Sequence, residues 1–223
     1  MTTFTVDRPP VARRTNGHRL PPPPPTGGGE GPDREPGPRR PLLDNVRLAM
    51  LFLICGEVMF FGGLVSAFFV LRATSALWPP PLQPRLPVAV TGINTLVLIA
   101  SSVAMAGALQ AFGRGDTRGL VRRLLIAAGL GSAFLLVQGY EWIRLVEYGL
   151  TLSSSAYGST FYTLIGTHAA HVVAALVWVG VTVLLAARDR FGDGRSGPLR
   201  ACAIYWHFVV ALWPVLYVAV YLL

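Results

Sequence analysis

The sequence predicts an all-α membrane protein, a bundle of five transmembrane helices. Three observations lead there. Of 223 residues, 52% are hydrophobic and only 13% are charged. The apolar residues gather into five long runs, and each run reaches the roughly 20 residues that a spanning helix needs. In hydrocarbon every backbone polar group must be paired, and runs this long and apolar read as helices, not as barrel strands.

Residues 1–45 are rich in Pro, Gly and Arg, with prolines at 21–25 and glycines at 27–29. They hold no apolar stretch that could form a core, so a disordered tail is expected. Its proline run could dock an aromatic-lined groove, although a solvated leader is the plainer reading. No apolar signal core occurs before Leu48, so the first span is expected to act as an uncleaved insertion signal.

The expected spans are 46–71, 88–112, 120–148, 157–188 and 199–223, which makes 46–223 the membrane domain. Gly62, Gly63, Ser66 and Ala67 in the first span, and Ser101, Ser102, Ala104 and Ala106 in the second, are small enough to let helix backbones approach. Pro214 removes a ladder donor inside the fifth helix and should bend it. No internal repeat is visible.

All 19 basic residues are arginine. They lie in the tail and loops and form no basic face, so membrane topology explains them and nucleic acid is not expected as a partner. Seven fall in the tail and Arg47 directly after it, four (Arg114, Arg118, Arg122, Arg123) in the second loop region and four (Arg188, Arg190, Arg195, Arg200) in the fourth; Arg72, Arg85 and Arg144 fall elsewhere. This asymmetry places the N-terminus in the cytoplasm and Leu223 outside. Cys55 and Cys202 lie within spans, without an extracellular pairing pattern, and read as reduced apolar residues.

Glu57 is the residue that needs an explanation. It sits mid-span, its neighbours one turn away are Leu53, Ile54, Phe60 and Phe61, and an ionisable group at that depth costs roughly 2.5–3.5 kcal/mol. Its partner must come from another helix, and His171 or His168 on the fourth span is the expected one. The other membrane polar groups are His207 on the fifth span and Gln138, Glu141, Arg144 and Glu147 on the third. Three-residue steps let Arg144 pair with both acids in an outer collar. Trp142, Tyr148 and Tyr157 mark the same boundary as an aromatic belt. The three histidines are the candidate metal or haem ligands, but no carboxylate or thiolate set stands at ligand spacing beside them.

At these residues the chain resembles subunit III of the haem–copper cytochrome c oxidases, over essentially everything after residue 45. The segments that carry the resemblance are FLICGEVMFF at 52–61, Asn94 and Thr95 followed by Ser101 and Ser102, QGYE at 138–141, YGSTF at 157–161 with GTHAAHV at 166–172, and WHFV at 206–209. Val210 stands where the family usually has an aspartate, so that acid's role does not transfer. Five spans in place of seven resemble the shorter bacterial form.

The resemblance implies a non-redox, multi-pass subunit of the bacterial cell membrane, part of a proton-pumping oxidoreductase complex in aerobic respiration. Its implied partners are catalytic subunit I, subunit II and membrane lipids. Haem and copper would sit on the partner subunits, with no cofactor, metal or catalytic residue here beyond a structural phospholipid held in a V-shaped cleft. Glu57 is the implied buried functional acid, reactive toward carbodiimide in the family, and the subunit supports proton uptake and protects the catalytic centre during turnover. Three membrane histidines are too few for two haems and a copper. His171, His168, His207, Glu141 and Gln138 are the expected supporting contacts. The alternatives are the equivalent subunit of a quinol oxidase or a protein associated with nitric oxide reduction, whose members often carry aspartate at position 57. From other classes come a stand-alone proton-linked transporter and a histidine-based haem or metal enzyme; the lack of repeats and of facing acids argues against the transporter.

Overall fold

The computed structural model describes residues 45–78, 86–191 and 196–223. The tail expected over residues 1–45 therefore lies outside the described residues, save for Asn45. The described residues form five long α-helices: α1 (Asn45–Thr74), α2 (Val88–Gly113), α3 (Thr117–Glu147), α4 (Ala156–Ala187) and α5 (Gly197–Tyr217). All five are long and apolar enough to cross a membrane, and no strand occurs among the described residues.

Helix ends follow local chemistry. Asp116 caps α3 by accepting from the Gly119 N–H at 2.8 Å, and Ser155 caps α4 by accepting from the Gly158 N–H at 3.1 Å. Helices α2, α3 and α4 close with the same paired bonds. Gly115 N–H donates to Phe112 and Asp116 N–H to Ala111; Gly149 donates to Val146 and Leu150 to Leu145; Asp189 donates to Ala186 and Arg190 to Leu185. This closure needs a left-handed residue just past the helix. Glycine fills it at φ +70° (Gly115) and +88° (Gly149), whereas α4 uses Asp189 at +52°.

Pro214 does not end α5, which runs on through Tyr217 and then widens into a π-helical turn, Val218–Leu222. There the Leu223 N–H donates to the Val218 carbonyl at 3.0 Å. The π turn begins four residues after Pro214.

Four helices close a ring in which α2 packs on α3, α3 on α4, α4 on α5 and α5 on α2. Helix α1 docks outside it, chiefly against α5 and α4, and the Arg72 guanidinium donates to the Leu223 oxygen. Accordingly α1 buries just Met50, Phe61 and Phe68, and Phe52, Val58 and Met59 face outward. The core fills the ring with Met105, Leu124, Phe134, Phe161, Trp206 and Trp213, all 1% exposed or less.

Small residues act in a different place from the one expected in the first span. A Cβ added at Gly62 or Gly63 would meet nothing within 4 Å, so α1 uses neither for close approach within this chain. On α2, Ser101, Gly107, Ala108 and Ala111 are buried. On α3, Gly131 receives the Trp206 ring, and a Cβ there would sit 2.5 Å from Cη2.

Candidate functional site

Glu57 meets the fourth helix. Its Oε2 lies 3.1 Å from Nε2 of His171, and this is the one ion pair among the described residues. The two side chains are 16% and 22% exposed, so the pair sits at the seam between α1 and the ring. Phe61 packs edge-on to the His171 ring at 5.1 Å, and Phe60 lies 6.3 Å away. The α1 spacing that denies Glu57 a polar neighbour thus supplies aromatic walls instead.

The other imidazole nitrogen fixes the tautomer. Nδ1 of His171 is 2.7 Å from the Thr167 carbonyl oxygen, a group that can only accept, so Nδ1 carries a proton and donates it. In the neutral ring Nε2 is then a bare acceptor facing the carboxyl. The Glu57–His171 contact is off-axis, and Oε2 makes no directed hydrogen bond. One proton between the two groups gives either acid and imidazole or carboxylate and imidazolium. Both are net neutral, which is the condition for placing two titratable groups in hydrocarbon.

The remaining histidines lie apart from this contact. His168 is fully buried, stacks on Trp213 at 5.1 Å and has no hydrogen-bond partner on either nitrogen. His207 joins α5 to α2 through a hydrogen bond between its Nδ1 and the Ser102 hydroxyl. Among the described residues no three metal-ligand side chains converge.

Near the far end of α3, Gln138 donates to the Tyr221 hydroxyl at 3.2 Å. Glu141 is 7% exposed, and no ion pair reaches it among the described residues. Arg144 bridges neither acid. Its guanidinium lies 5.9 Å from the ring centres of both Tyr140 and Tyr148, so cation–π contact takes the place of the expected collar.

Two polar links were not legible as contacts. Asn94 donates to the Phe134 carbonyl at 3.0 Å, tying α2 to α3, and the Trp213 indole donates to Thr95 at 2.9 Å, tying α5 to α2. The available signal was one amide and one hydroxyl side by side, Asn94 and Thr95, in an apolar span.

These features define a polytopic membrane protein: a helical ring with one peripheral helix, joined by a carboxyl–imidazole pair. A model of the family described as cytochrome c oxidase subunit III matches residues 39–223. Similar proteins include cytochrome c oxidase subunit 3 of Corynebacterium diphtheriae, 34% identical over 85% of this chain and 93% of its own. The proteins of that name from Synechocystis and Sus scrofa are 36% and 35% identical, over 78% and 79% of this chain and 73% and 69% of their own. The chain belongs to the cytochrome c oxidase subunit III family.

Proposed function

We propose that this chain is an accessory subunit of a bacterial cytochrome c oxidase, seated in the cell membrane against catalytic subunit I and subunit II, which hold the haem and copper. Residues 1–45 form a cytoplasmic tail on this reading, 46–223 form the membrane domain and Leu223 lies outside. The subunit takes no electron itself; it supports proton uptake and the stability of the catalytic subunit during dioxygen reduction. The observation that carries the reading is the Glu57–His171 pair, in a chain whose family assembles into an oxidase.

Glu57 is the functional acid in this proposal. Carboxyl and imidazole together keep one proton at the seam, and a slight turn of the carboxyl aligns it with Nε2. His171 holds that geometry through its bond to Thr167. His168, His207, Gln138 and Glu141 support the helix packing around the pair, and lipid covers the apolar outer surface.

The test is to express the intact oxidase with and without this chain, and with Glu57→Gln or His171→Ala. Oxidase lacking the chain should co-purify subunits I and II but lose activity progressively during turnover, and the Glu57→Gln complex should assemble with slowed proton uptake. Failure of the chain to co-purify with any oxidase subunit would overturn the reading.

A further inference from the structure

Where α3 begins and α4 ends, the ring leaves an open groove of about 610 Å³. No residue of the Glu57 site lines it. Its walls are Val121, Leu125 and Ile126 on α3 with Ala187 on α4, and Arg118 and Arg122 stand at its rim. The small side chain of Ala187 keeps the α4 side open.

The two arginines are four residues apart, hence one above the other on a single helix face. Both are exposed, and neither has an ion pair among the described residues. Asp116, the acid one turn earlier, has its carboxylate turned onto the Gly119 N–H. Arg123, the third arginine of this turn, is committed to the Gly107 carbonyl at 2.9 Å. Two free guanidinium forks therefore stand above an apolar trough that continues along α3 toward the middle of its span.

We propose that this groove binds an anionic phospholipid, with Arg118 and Arg122 forking onto its phosphate and the upper acyl chain lying along Val121, Leu125 and Ile126. Guanidinium matches phosphate bidentately, and an apolar trough directly below a cation pair fits a molecule with charge at one end and hydrocarbon at the other. An acidic protein segment would satisfy the arginines and leave Leu125 and Ile126 uncovered. The chain's own tail is a poor occupant, because residues 1–44 contain more arginine than acid.

The test is native mass spectrometry of the full chain, purified in mild detergent and equilibrated with equal phosphatidylglycerol and phosphatidylcholine. The wild type should retain phosphatidylglycerol selectively. Arg118→Gln/Arg122→Gln should lower that selectivity roughly tenfold or more, the effect of removing two cations at a lipid surface. Arg188 and Arg190 sit close to the α4 wall, so the control is Arg47→Gln/Arg200→Gln, which removes the same charge from residues that do not line the groove; it should leave selectivity unchanged, and circular dichroism establishes that each variant is folded. If the groove variant misfolds, Ile126→Trp fills the trough with both arginines kept, and it should lower retention too. Equal loss in the Arg47/Arg200 control, unchanged retention in the groove variants, displacement of the lipid by millimolar inorganic phosphate, or a protein segment cross-linked at Leu125 in the intact complex would each overturn the proposal.

Discussion

Glu57 on α1 and His171 on α4 face each other at 3.1 Å and form a carboxyl–imidazole link between the peripheral helix and the ring. Gln at position 57 can still donate from its amide to the bare Nε2, whereas Ala at position 171 strands the acid in an apolar seam. Glu57→Gln should therefore be the milder change. In a double-mutant cycle on subunit unfolding in mixed micelles, Glu57→Gln and His171→Ala should show coupling on the order of 1 kcal/mol. Strict additivity would mean that the contact has no energetic content.

Thr95 accepts from the Trp213 indole and itself donates to the Thr91 carbonyl at 2.8 Å. Thr95→Val keeps the shape and orphans a buried N–H. The expected destabilisation is about 1 kcal/mol, within the span measured for hydrogen bonds between membrane helices. The same titration checks it, with Trp213→Phe as the partner variant that should erase the difference.

Gly131 and Trp206 share one space. Gly131→Ala should destabilise by roughly 1–3 kcal/mol through overpacking, and adding Trp206→Phe should recover part of it. If Gly131→Ala unfolds at the wild-type detergent fraction, the close approach is relieved at no cost and the packing argument is wrong.

How much of this was legible beforehand depends on the type of signal. The five spans follow from length and apolarity, and their breaks from Pro, Gly and Arg; α1 nevertheless reaches Thr74, beyond the expected 71. Helix adjacency was hidden, because a span that is apolar on every side does not reveal which face meets lipid and which meets protein. That is why Gly62 and Gly63 read as a packing face and turned out to be open. Glu57 was visible as an anomaly, and the fourth span as the source of its partner. Choosing His171 over His168 required the fold, since residues three apart share nearly one helix face. Arg144 shows the converse: spacing suggested two carboxylates, and two tyrosine rings took the guanidinium instead.

The three matching helix ends give a test of backbone strain. Gly149→Ala forces an L side chain into the left-handed region and should cost roughly 1–2 kcal/mol. Asp189→Gly removes that burden at the equivalent place on α4 and should be neutral or mildly stabilising. An unchanged or raised unfolding midpoint for Gly149→Ala, or an equal loss in both variants, would contradict this account of the closures.

The docking of α1 outside the ring also sets a timetable for biogenesis. The first helix leaves the ribosome before α4 and α5, and His171 follows Glu57 by roughly a hundred residues, on the order of ten seconds at ordinary elongation rates. During that interval the acid resides in the translocon or in lipid without its imidazole. A helix that must wait alone gains from a protonated side chain or a temporary chaperone, and the newborn subunit is most vulnerable to membrane proteases before its fourth span arrives.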